Sequence, residues 1–182
     1  DQWTDSSKLQ QQVDFLESSP KFSICFHYTD LVTKNGHFRT LLPIPEARKP
    51  KSTVKDLIEL ESFMPTSSIV LRANRTEVCP SWFSQLSNQV DYPLCLFYAS
   101  LGDIGFIPKN MGIYRTGSAQ DSFTSRSAIA IYLEQSRMFS LLAVNSGEGN
   151  SDSFLSKQQR DLKRASRLLA SPAKVIEFLR TL

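Results

Sequence analysis

Residues 91–115, DYPLCLFYASLGDIGFIPKNMGIYR, decide how the rest of this chain is read. The stretch opens on the carboxylate of Asp91, and Pro93 suits the first turn of a helix, where its missing N–H has no partner to lose. Leu94, Cys95, Tyr98 and Leu101 give that helix one apolar stripe. Gly102 supplies the left-handed residue on which helices commonly end. Two short apolar strands follow, at 104–107 and 112–115. An acid where a loop enters a helix, with a strand returning after it, can be held over a cleft, which makes Asp91 the candidate catalytic base. The plainer role for the same residue is an N-cap.

Outward from that stretch, 182 residues allow one domain with a hydrophobic core, or part of a larger one. Apolar residues at 41% and charged residues at 21% describe a folded chain rather than a disordered one. A net charge of +3 without a dense basic face argues against a nucleic-acid partner. No apolar run approaches the roughly 20 residues of a membrane span, and no signal peptide is visible. Cys25, Cys79 and Cys95 are odd in number, lack CxxC spacing and sit in apolar surroundings, so they read as reduced, buried and intracellular. With only His27 and His37, a histidine metal site or a Ser-His-Asp triad is disfavoured. A hydrolase built on Ser67 or Ser68 with His27 would lack a nucleophile elbow.

Before residue 91, Thr4 or Asp5 can cap a helix whose Leu9, Val13 and Leu16 recur at helical spacing, stopped by Pro20. Residues 22–27 alternate as a strand, with His27 expected to be buried and satisfied. A hairpin is expected around Asn35-Gly36. Residues 43–51 form a basic loop, either a solvated connector or a flap that touches an anionic substrate. A short helix over 53–61 takes Ser52 or Thr53 as cap. The hydroxyls of Thr66, Ser67 and Ser68 then lead into a buried strand, where they line a polar cleft or satisfy the strand's start. Trp82 and Phe83 belong to a helical turn packed into the core. Beyond Ser122 the chain becomes helical: 123–144, a linker at 145–151, then 153–169 and a helix from Pro172. Lys157, Arg160, Lys163, Arg164 and Arg167 make a basic face opposite Leu155, Leu162 and Leu169, either solvated or a membrane-surface face.

Two sets of residues resemble the family 2 glycosyltransferases that build bacterial surface polysaccharides. Asp1-Gln2-Trp3-Thr4-Asp5, Lys8-Leu9-Gln10 and Val13-Asp14-Phe15-Leu16 resemble the family's DD-x-W-x-D-P-x-K-L-x-x-Q-V-x-F-L segment. Met64-Pro65-Thr66-Ser67-Ser68 through Arg72, Trp82-Phe83, Asp91-Tyr92-Pro93-Leu94, Gly105-Phe106-Ile107 and Tyr114-Arg115 resemble a second series in order and spacing. The resemblance covers residues 1 to about 125. Two positions depart from it: Gly117 stands where the family has histidine, and Val90 where it has glycine.

The resemblance implies an α/β GT-A fold with a mixed sheet, of which residues 1–125 form the C-terminal, acceptor-side half, with 126–182 as a helical extension. An incomplete domain is therefore expected. It further implies an inverting transfer from a nucleotide-sugar donor to a glycan or lipid-linked acceptor, with Asp91 as general base. Asp1 would hold Mg2+ or Mn2+, and Trp3, Thr66, Ser67, Ser68, Tyr114 and Arg115 would contact donor or acceptor. The location implied is the cytoplasm, with peripheral association at the inner membrane face. The alternative is a non-catalytic binding or scaffolding domain descended from the same fold.

Overall fold

A computed structural model of the chain describes residues 2–33, 38–41, 49–61, 63–73, 81–86, 91–115, 127–145 and 148–179. They fall into two compact units: Asp1–Val78 with Leu94–Ser118, and Cys79–Pro93 with Ala119–Leu182.

The first unit is built on a mixed sheet. β1 (Gln2–Trp3) and β2 (Phe22–Val32) are followed by β3 (Phe38–Leu41), β4 (Lys51–Ser52), β5 (Val70–Leu71) and β6 (Asp103–Arg115). β2 and β6 run parallel at its centre. The outer edge of β6 takes β4 antiparallel near its start and β1 antiparallel near its end. The outer edge of β2 takes β5 and β3, also antiparallel.

The expected hairpin is present, with Val32 opposite Phe38; its turn at 34–37 lies outside the described residues. The expected breaks within the two central strands are not. β2 runs unbroken for 11 residues and β6 for 13. Facing pairs step from His27–Ile107 to Tyr28–Asn110, so Pro108 and Lys109 are extra residues on β6. A bulge leaves an N–H unpaired, and there a proline costs the ladder nothing.

Alternation along β2 turns Cys25, His27 and Thr29 to one face and Ile24 and Phe26 to the other. Helix α1 (Lys8–Ser18) covers the first face, with Leu16 packed on Cys25, Ile107 and Met111, and Phe15, Phe22 and Val70 around them. The ring of Phe15 occupies the place a Cβ on residue 105 would need, so Gly105 lets the helix come down onto the sheet. On the other face Phe26 meets Phe106 at 4.9 Å and Phe63 at 5.6 Å. Helix α2 (Val54–Leu60) buries Leu57 and Ile58 and begins in a complete capping box between Thr53 and Asp56. The basic loop is corrected where it is described: Lys49 is paired with Asp56 at 2.7 Å, and Lys51 lies in β4, paired with Asp103 at 3.1 Å. Residues 42–48 are outside the described set.

Helix α3 (Asp91–Leu101) starts and stops where the sequence places it. Its inward residues are Tyr92, Cys95, Leu96 and Ala99, while Leu101 is exposed, so the stripe sits about one residue round from the expected one. Gly102 is required for space, not for a left-handed turn: a Cβ there would stand 2.7 Å from the carbonyl oxygen of Lys21, and its backbone is not left-handed.

In the second unit Trp82 is buried against Phe83 in a 3-10 turn over Ser81–Gln85. Helices α4 (Ala128–Asn145), α5 (Glu148–Leu169) and α6 (Pro172–Leu179) follow. The expected linker is mostly helix, since α5 begins at Glu148 and the Ser151 hydroxyl donates to the Ala143 carbonyl at 3.1 Å. The expected basic face of α5 is corrected at Lys157, which turns inward. Phe154, Lys157, Asp161 and Ala165 are buried, while Leu155, Leu162 and Leu169 are exposed. Phe154 faces Phe139 across 6.1 Å, and Lys157 is bonded to Asp161 at 2.8 Å.

Candidate functional site

The N-terminal segment is held on β6. Trp3 stands opposite Gly112, Thr4 N–H donates to the Met111 carbonyl at 3.1 Å, and the Arg115 guanidinium donates to Gln2 Oε1 at 3.0 Å. Asp5 then organises the turn into α1. Its carboxylate accepts from the Ser7 hydroxyl at 2.6 Å, the Ser7 N–H at 2.8 Å and Gln11 at 3.0 Å. The Ser7 bonds are the main reason its pKa lies below the usual carboxylate value. Ser7, not Thr4 or Asp5, is the N-cap, and Asp5 acts from just outside it.

The line α1 turns inward is Lys8, Gln12 and Leu16, while the expected Leu9 and Val13 are 45% and 40% exposed. Polar groups can take the inner line because each finds company there. The Lys8 ammonium lies 4.5 Å from the centre of the Trp3 ring, a cation–π contact. Gln12 Nε2 donates to the Ser68 carbonyl at 2.8 Å and lies 3.6 Å from Cys25 Sγ. Burial pulls the Lys8 pKa down and pushes the Cys25 thiol up to about 11.

His27 lies on the face of β2 that α1 covers, and it is not the satisfied core histidine the sequence suggests. Its Nδ1 lies 2.6 Å from the Tyr28 carbonyl, which fixes the N–H there and leaves Nε2 as an acceptor. That Nε2 is buried without a hydrogen-bond partner, as are Gln12 Oε1 and Thr29 Oγ1. Burial lowers the His27 pKa, and the Lys8 charge works the same way, so the ring stays neutral. The arrangement is a sealed polar layer: a cation beneath an aromatic ring, with a neutral imidazole on the same side of the sheet.

Of the residues chosen from sequence, Trp3 (55% exposed), Tyr114 and Arg115 gather where β1 meets β6. Thr66, Ser67 and Ser68 form a 3-10 turn bound to α1 through Gln12. Within it Thr66 is exposed, Ser67 Oγ is buried without a hydrogen-bond partner, and the Ser68 hydroxyl donates to the Pro65 carbonyl at 2.7 Å. Asp91 is exposed on the first residue of α3, its Oδ1 2.9 Å from the Tyr92 N–H, and belongs to the second unit. Asp1 lies outside the described residues. Sequence reasoning passed over Lys8, Gln12 and Thr29. Their signal was a polar pair at i, i+4 and a run of alternate polar residues, Ser23, Cys25, His27 and Thr29, in a strand too apolar to face water.

Among the described residues no three His, Cys, Asp or Glu side chains gather as a metal centre, and no helix is long and apolar enough to cross a membrane. No family model and no solved structure matches the chain. Its relatives include an uncharacterized protein of Mycobacterium bovis and uncharacterized proteins from two strains of Mycobacterium tuberculosis. Each is 30% identical over 117 residues, which is 63% of this chain and 32% of the relative. The chain therefore spans about a third of the length of the curated relatives it matches.

Proposed function

We propose that this chain is the acceptor-side part of an inverting family 2 glycosyltransferase, which moves a sugar from a nucleotide-sugar donor to a hydroxyl of a glycan or lipid-linked acceptor. The observation that supports this best is the meeting of the two ends of the resemblance. Gln2–Trp3 and Tyr114–Arg115, remote in sequence, lie on neighbouring strands, and the Thr66–Ser68 turn is tied to the same helix that Trp3 overhangs.

Such a transfer needs the acceptor hydroxyl to lose its proton as it attacks the anomeric carbon, and the departing diphosphate to be stabilised. Asp91 takes the proton, its contribution coming from position within about 3 Å of the hydroxyl. Arg115 offers a guanidinium to the diphosphate. The Mg2+ or Mn2+ implied by the resemblance rests on Asp1. The described residues do not by themselves form a site for it, and no step here runs through it.

The test is Asp91→Asn in the protein that carries the whole domain. Transfer is expected to be lost with donor binding nearly unchanged; retention of most transfer sinks the assignment. The second reading, a binding or scaffolding domain, draws on Gly117 standing at the family's histidine. Calorimetric titration with nucleotide sugars and Mn2+ separates the two, absence of binding favouring the scaffold.

A further inference from the structure

We propose that helix α5 docks this protein onto an anionic lipid surface, lying among the headgroups rather than crossing the bilayer. Leu155, Leu162 and Leu169 recur every seven residues along one line of α5 and are 41%, 43% and 46% exposed. No water-facing helix needs such a row, and the buried side of α5 is already filled by Phe154, Lys157, Asp161 and Ala165.

The rest of the exposed arc carries the neutral Ser156, Gln159 and Ser166 and a row of cations. Arg160, Lys163 and Arg167 are exposed, Lys163 about a quarter-turn round from the leucines and the two arginines further on. Arg164, with 45% of its side chain exposed, lies 3.5 Å from Asp161. From Ser153 to Ser171 the one acid is Asp161, which is fully buried and bonded to Lys157. Glu148 and Asp152 are confined to the first turns of the helix. Beyond them, everything charged that α5 offers to its surroundings is positive.

That combination selects the occupant. A second copy laid leucine to leucine would cover the leucines but leave Arg160, Lys163 and Arg167 outside the contact, without a use. A nucleic acid would use the cations but has no use for the leucines, and the arc offers no exposed aromatic ring on which bases could stack. An anionic bilayer uses both: leucines settle at the acyl boundary, and long basic side chains reach round to lipid phosphates. The inference does not rest on the sugar-transfer reading, since vesicle binding and transfer can each be present without the other.

The test is co-sedimentation of the chain with vesicles of phosphatidylcholine, with and without phosphatidylglycerol. Two variants at exposed positions accompany it: Arg160→Gln/Lys163→Gln/Arg167→Gln, and Leu162→Gln/Leu169→Gln. Circular dichroism establishes that each keeps its helix content. Binding is expected only with phosphatidylglycerol. Each lost cation should lower partitioning roughly fivefold, so the triple variant falls on the order of 100-fold. The leucine variant should fall at least about tenfold. No binding to the anionic vesicles, equal binding to both kinds, or wild-type binding by the leucine variant overturns the proposal. So does a concentration-dependent dimer abolished by the leucine changes, which would make a second copy the occupant.

Discussion

Acid should weaken this fold through His27. The folded ring is held neutral, chiefly by burial, so its pKa lies below the ordinary value near 6.5. Between that value and the lower folded one, the unfolded chain binds a proton that the folded chain refuses. Stability is therefore full above about pH 6.5 and is lost as the pH falls through it. The unfolded ring's ordinary value sets a ceiling of about 2 kcal/mol on the loss between pH 7 and pH 5. Urea unfolding followed by tryptophan fluorescence at pH 7, 6 and 5 measures it, with His27→Gln as the comparison. Glutamine can still donate to the Tyr28 carbonyl but carries no titrating ring, while the carboxylates and His37 are common to both proteins and cancel. The wild type should lose more than the variant over that range, by no more than about 2 kcal/mol. Equal losses, or a His27 ring resonance that titrates at the ordinary value, would refute the reasoning.

Other substitutions probe other parts of the fold. Gly105→Ala puts a methyl group into the ring of Phe15 and should cost about 1–3 kcal/mol, lifting α1 from the sheet; thermal unfolding reads it, and Phe15→Leu in the same chain should recover part of the loss. Lys157→Met leaves Asp161 buried beside only the more distant Arg164 and should cost about 3–5 kcal/mol, whereas Lys157→Met/Asp161→Leu should restore most of it; helix melting by circular dichroism compares them. Thr53→Ala removes the hydroxyl half of the α2 capping box, leaving the Asp56 carboxylate on the residue 53 N–H, and should cost about 1 kcal/mol in denaturant unfolding.

The legible parts of this chain were those fixed by local chemistry. Asp91 begins α3, Thr53 caps α2, and Pro172 begins α6, each a signal contained within a few residues. What could not be read depended on distant partners. The inward line of α1 looks wrong in isolation, because Gln12 is answered by a carbonyl 56 residues away and Lys8 by the ring of Trp3. Pro108 looks like a strand end until the bulge against β2 shows that its missing donor is unneeded. Lys157 looks like one more cation on the basic face of α5, but it takes the inner position with Phe154 and Asp161. For the site, the resemblance pointed at residues near the protein surface, and the sealed layer of Gln12, His27 and Thr29 beneath Lys8 was hidden by the habit of reading polar residues as outward.

The parallel pairing of β2 with β6 has a consequence for how the chain comes into being. Phe22 faces Asp103 and Val32 faces Arg115, so the ladder at the heart of the sheet joins segments about eighty residues apart in the chain. Parallel strands close no tight turn, and loop entropy must be met before such contacts repay it. At roughly 5–20 residues per second on a ribosome, β2 emerges on the order of ten seconds before its central partner exists. During that interval it can pair with β3 but leaves its other edge open. The last strand synthesised in the first unit is thus the one that closes its sheet.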